Sequence, residues 1–133
     1  MASAKPSAGP ARPISPHLQI YSPLINMMSS IIHRITGVAL YFGTLLLAWW
    51  LVAAAAGPEA FATVSWVFNS WFGLLILFGY TWALFQHMLG GVRHFIWDTG
   101  RGFDLATVDR LCVMTAVGSV VLTVLVWAAI LLS

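Results

Sequence analysis

Charge is the scarcest property of this sequence. Only 8% of its 133 residues are Asp, Glu, Lys or Arg. Soluble domains carry about 25%, so a water-facing globular surface is excluded. The net charge of +2 is small and its carriers are scattered, which argues against a nucleic-acid surface. Cysteine is nearly absent: Cys112 alone can form neither an internal disulfide nor a multi-cysteine metal site. It opens an apolar run and reads as a buried, inert thiol. The first residues, "MASAKPSAGPARPISP", hold no apolar stretch that could follow their charges as a secretory signal, and too few arginines for a transit peptide. This segment is expected to remain as a Pro- and Gly-rich tail.

Apolar residues make up 60% of the chain, with seven Trp and eight Phe among them. They fall into three runs. Ile35 to Ala56 has no ionisable side chain but Tyr41, Glu59 to Arg93 has only Tyr80 and His87 between its ends, and Leu111 to Ser133 has only Cys112. About 20 apolar residues cross a ~30 Å hydrocarbon core, and lipid forces the backbone to satisfy its own hydrogen bonds. The expected fold is therefore an all-α membrane protein. A tail and interfacial segment occupies residues 1–25, and one three-helix domain occupies 26–133, with spans near 30–56, 64–95 and 109–132. The second run is longer than a crossing needs, so "GPEAFATVS" is expected to lie at the interface or the helix to tilt. Lys5, Arg12 and Arg34 precede the first span, and Arg93, Arg101 and Arg110 flank the loop between the second and third. All six cations thus share one side, which the positive-inside rule makes the cytoplasm or a mitochondrial matrix. The C-terminus then lies on the other side. Glycines 37, 43, 79, 90, 91 and 118 permit close helix approach, and so few helices imply a partner subunit.

Ionisable groups within such helices are functional candidates because burying them is costly. His87 is the deepest, six residues before Arg93 or about 9 Å up the helix. In "HMLGGVRH", His87, Gly91 and His94 share a helical face, and Gly91 leaves room for a flat macrocycle. Two readings stand: a haem ligand, or a histidine hydrogen-bonded to a neighbouring helix. His33 and His94 are too shallow to oppose His87 across a haem, so a second ligand would come from another chain. In "MMSSIIHRITG", Ser30, His33, Arg34 and Gly37 are placed on one face. They offer a hydroxyl, an imidazole and a cation to a polar head group on an apolar tail, such as a quinone. Alternatively, Arg34 snorkels to the headgroups and Ser30 bonds back to its own helix. Asp98 could pair with Arg93 or Arg101, or relay protons. Asp104, Asp109 and Glu59 read as solvated loop charges. Ser29 falls off the polar face and receives no role.

"RPISPHLQIY", "SSIIHRITG" and "HMLGGVRHFIWD", in that order, resemble the cytochrome b556 family of succinate dehydrogenase membrane anchors. The resemblance runs from Arg12 through Asp98, with the third span similar in character only. It implies a helical bundle completed by a second anchor subunit, with a flavoprotein and an iron–sulfur protein carrying FAD and clusters. His87 would be the axial ligand of haem b, the other ligand coming from the partner anchor. Ser30 and Arg34 would bind ubiquinone, and His33, Arg34 and His94 would lie near the haem propionates. The chain would then sit in the cytoplasmic membrane of a bacterium or the mitochondrial inner membrane. A fumarate reductase anchor and a non-catalytic scaffold are the alternatives. A channel or transporter lacks support, since no span shows a polar stripe or a broken helix.

Overall fold

The computed structural model describes residues 16–133. Lys5, Arg12 and the start of the Arg-Pro-x-Ser-Pro-His segment lie outside the described residues. After a 3₁₀ turn at His17–Gln19 come four helices: α1 (Ile25–Ala56), α2 (Pro58–Asn69), α3 (Trp71–Asp98) and α4 (Leu105–Leu132). No strand occurs among the described residues. Three helices, α1, α3 and α4, are long and apolar enough to cross a membrane, so the chain is an all-helical, multi-pass membrane protein.

Helix α1 begins five residues before the expected span. Pro23 has no N–H to contribute to a helix, Leu24 is extended, and the helix runs unbroken from Ile25. At 1.5 Å per residue its 32 residues measure about 48 Å. That exceeds the apolar thickness, so its first turns belong to the interface.

The second apolar run is two helices, not one, and the crossing starts at Trp71 rather than near residue 64. Two local devices bound the first of these helices. Gly57, at φ 121°, turns the chain back and Pro58 opens α2. Ser70, extended at ψ 155°, then breaks the run. Its hydroxyl donates to the Val67 carbonyl at 2.6 Å and accepts from the Gly73 N–H at 3.1 Å, closing α2 and capping α3 together. A Cβ at position 73 would strike the Val67 carbonyl and the Phe68 backbone, so this turn requires glycine. Helix α2 lies against the end of α1 through edge-on pairs Trp49–Phe68 and Trp50–Phe61. The cleft between α1, α2 and α3, about 470 Å³, is lined mainly by apolar groups such as Leu46, Trp50, Phe68 and Ile76.

Helices α3 and α4 pack antiparallel along a seam the sequence reading did not anticipate. Cys112, Thr115, Ser119 and Thr123 are all buried on α4. Ser119 donates to the Gln86 side-chain oxygen at 2.7 Å, and the Trp127 indole donates to the Thr81 hydroxyl at 3.3 Å. The hydroxyls of Thr115 and Thr123 bond back to Leu111 and Ser119. The expectation that no span carries a polar stripe is therefore corrected for α4. With every member enclosed against its neighbours, the stripe is a packing seam that substitutes small polar groups for the hydrophobic drive absent in lipid.

Candidate functional site

The chemistry-bearing residues converge where the start of α1 meets the end of α3. These helices run antiparallel in a constant register, with Ser29 opposite Arg93, His33 opposite Gly90, Gly37 opposite His87 and Gly43 opposite Tyr80. Each glycine takes the ring of the residue facing it. A Cβ on Gly90 would collide with the His33 ring, and one on Gly43 with the Tyr80 ring. On Gly37 it would stand 2.9 Å from His87 Cε1. Two histidines thus key reciprocally into two glycines. Gly79 and Gly91 do not serve this packing, since a Cβ on either would meet nothing within 4 Å.

His87 Nδ1 lies 3.0 Å from the carbonyl of His33 and 3.4 Å from the hydroxyl of Thr36. Thr36 is itself turned to the Ile32 and His33 carbonyls, at 2.9 and 3.0 Å. A carbonyl has no proton to give, so a hydrogen bond here requires the hydrogen on Nδ1, and a neutral ring then carries its lone pair on Nε2. That is the tautomer an imidazole needs to bind a metal through Nε2, and a backbone carbonyl is a usual partner for fixing it. Nε2 has no hydrogen-bond partner among the described residues. The ring is half-buried, and the open side of Gly91 lies one turn away on the same helix. These residues fit an axial haem ligand, and only one such group is supplied. Among the described residues no cluster of His, Cys, Asp or Glu could hold a metal ion by itself.

The other two candidate histidines gather beside it. His33 stacks on His87, with centroids 4.0 Å apart and planes within 5°. His94 is exposed, its ring 5.2 Å from His33 and edge-on to Trp97 at 5.4 Å. The structure therefore brings His33, His87 and His94 together.

The single polar face expected on α1 divides in two. Ser29, His33, Thr36 and Gly37 turn toward α3, while Ser30 and Arg34 are exposed on the outer side. Consecutive helical residues differ by about 100°, so Ser29 and Ser30 cannot both face one neighbour. Ser29, left without a role by the sequence, accepts a hydrogen bond from Arg93 Nη1.

Arg93 is the residue that sequence reasoning missed. Counted there as an orienting charge, it is only 3% exposed. Nη1 also reaches Cys112 Sγ at 3.2 Å, and the guanidinium carbon stands 5.1 Å from the centre of the Trp97 ring. Nε is buried without a partner, so the anticipated pairing of Arg93 with Asp98 is not made. Asp98 ends α3 and is exposed. The signal was present in spacing: Ala83, Gln86, Gly90 and Arg93 recur at three- and four-residue intervals as the buried face of α3.

Comparison with known proteins decides the family. Residues 9–126 match the family described as the succinate dehydrogenase/fumarate reductase transmembrane subunit. The chain belongs to this family. Among its relatives is the succinate dehydrogenase cytochrome b556 subunit of Paracoccus denitrificans, 47% identical over 114 residues, which are 86% of this chain and 88% of that one. The corresponding subunit of Rickettsia conorii is 39% identical over 116 residues, covering 87% and 90% of the two chains. The succinate dehydrogenase cytochrome b560 subunit of Chondrus crispus is 34% identical over 106 residues, covering 74% and 80% of the two chains. The chain is thus a transmembrane subunit of an oxidoreductase family, and the chemistry of the soluble substrate resides on other chains.

Proposed function

We propose that this chain is the haem b-binding anchor of a succinate:ubiquinone oxidoreductase, and that it forms one wall of the quinone-reduction site. The observation that carries the reading is the His87 ring, held at Nδ1 by the His33 carbonyl, with Nε2 unbonded among the described residues and Gly91 open one turn along the same helix. Relatives named cytochrome b556 subunits support it. A flavoprotein subunit with FAD and an iron–sulfur subunit deliver the two electrons of succinate oxidation. Ubiquinone takes these up with two protons to become ubiquinol.

The chain's own residues bind and polarise. Ser30 and Arg34, one turn apart on the exposed face of α1, hold a quinone carbonyl by a hydroxyl and a guanidinium N–H. The fixed positive charge of Arg34 stabilises the negative charge that builds on that oxygen during reduction. Asp98, exposed at the aqueous end of α3, stands at the right boundary to pass protons inward. His87 would hold the iron of haem b through Nε2, and His33, His94 and Arg34 would supply N–H donors to its propionates. Haem b would supply a one-electron store. A second anchor subunit would contribute a further histidine and the rest of the quinone pocket. On this reading the N-terminus lies in the cytoplasm of a bacterium and the C-terminus in the periplasm, and the gathering of the positive residues on one side supports it.

Absorption spectroscopy of the purified complex tests the ligand. His87→Ala is expected to remove the b-type bands while flavin and iron–sulfur content persist, and unchanged bands would refute the assignment. Arg34→Ala or Ser30→Ala is expected to slow ubiquinone reduction about 10²-fold, the scale of a lost donor to a developing oxyanion. Dye-linked succinate oxidation should stay intact. The family description also covers fumarate reductases, and comparing turnover with ubiquinone and menaquinone separates the two directions.

A further inference from the structure

Arg93 lies five residues from the end of α3, where a long cationic side chain normally snorkels to water. It turns inward instead and is almost wholly buried. Burying a cation is costly without compensating partners, and it has no carboxylate partner among its contacts. What it touches belongs to three helices: Ser29 on α1, Trp97 on its own α3 and Cys112 on α4.

We propose that Arg93 is a positioning residue for the quinone-facing turn of α1, acting through Ser29. This rests on the reading of Ser30 and Arg34 as quinone-binding residues. Ser29 and Ser30 are chemically identical and about 100° apart, so the hydroxyl that Arg93 holds sets how α1 is rolled at the interface. With Ser29 held, Ser30 and Arg34 face outward. With Ser30 held, α1 rolls by one residue, and Arg34 would be driven toward the close contact that His33 makes with Gly90. The glycine keys set the roll further into the membrane. Arg93 sets it at the turn where the quinone carbonyl is bound, with Cys112 as the second anchor of the same guanidinium nitrogen.

The test uses the intact membrane complex and three readouts: dye-linked succinate oxidation, haem absorbance per flavin, and KM for ubiquinone. Ser29→Ala is expected to leave the first two unchanged and raise KM about ten-fold, the scale of a lost hydrogen bond to a charged group. Ser29→Cys keeps the volume with a weaker acceptor and should fall between; it carries the test should the alanine variant assemble poorly. Arg93→Lys should raise KM as well, and adding Ser29→Ala to it should raise KM no further, because the two residues act through one bond. Mere loss of assembled complex lowers every rate in proportion and leaves KM where it was. An unchanged KM in Ser29→Ala, alongside a raised KM in Arg34→Ala, overturns the positioning role while the quinone site stands. Additive effects of Ser29 and Arg93 overturn it too. Normal quinone kinetics in both Arg34→Ala and Ser30→Ala remove the quinone site itself, and the positioning role with it.

Discussion

At the scale of single residues, the site is built from glycine–histidine pairs. Neither member of a pair explains itself. Gly90 is needed because His33 packs on it, and Gly37 because His87 does. Gly91, its neighbour in sequence, faces open space. These two adjacent glycines therefore make opposite predictions. Gly90→Ala forces the His33 ring away and should destabilise the α1–α3 contact by about 1–3 kcal/mol, as overpacking does. It should register as a lower midpoint in thermal unfolding of the purified complex. Gly91→Ala should leave that midpoint unchanged. If it nonetheless lowers haem content, the macrocycle is the expected occupant of the open side, since no side chain among the described residues stands there. Sequence reading identified His87, His33 and His94 as chemistry-bearing. It could not see that Ser29 rather than Ser30 faces inward, because two adjacent serines are indistinguishable until a neighbouring helix picks one.

At the scale of elements, helix ends are decided locally and helix faces are not. Ser70 and Asp104 cap α3 and α4 through bonds to residues three positions on. Asp104 is held below the usual carboxylate range, first by the Thr107 hydroxyl and then by the Thr107 backbone N–H. Its stabilising effect is therefore complete above about pH 4, the ordinary aspartate range, and is lost as pH falls through the lower folded-state value. Hydrogen-exchange protection in the first turn of α4, taken relative to the intrinsic rate at each pH, should fall on acidification in the native chain. In Asp104→Ala it should already be lower at neutral pH and should lose that acid dependence. The division of the second apolar run belongs to this scale as well. No charge marks the break, only the polar pair Asn69 and Ser70, and the extended backbone and two-way hydroxyl of Ser70 separate α2 from α3. The seam on α4 escaped notice for a related reason. Thr115, Ser119 and Thr123 look like tolerated small residues in an apolar run until Gln86 and the rest of α3 lie across them.

At the scale of the whole molecule, little is buried. The enclosed apolar residues are Ala53, Val64, Ala83 and Cys112, while long side chains such as Leu45, Phe42, Leu75 and Leu125 remain exposed along the spans. Such a surface is at home only in lipid or against other helices. The face of α1 that carries Ser30, Arg34 and Tyr41 is exposed as well. With an odd number of crossings and Arg101 and Arg110 on the same side as Arg34, the two ends of the spanning bundle lie in different compartments. A periplasm-dependent reporter such as alkaline phosphatase should be active when fused after Ser133 and inactive when placed at Arg101. The reverse pattern would invert the orientation.

The sequence alone determined that the chain is a helical membrane protein with three spans, and where its charges lie along them. These follow from composition and from the cost of exposing backbone or charge to lipid, which any neighbour leaves unchanged. Tertiary structure decided which side of each helix faces inward. It turned Ser29 toward Arg93, seated His33 and His87 on Gly90 and Gly37, and set His87 Nδ1 against the His33 carbonyl. The physical reason is rotational. In spans with apolar residues on every side, the rotation of each helix about its axis is set by close packing and hydrogen bonds to its neighbours, and those exist only once the helices meet.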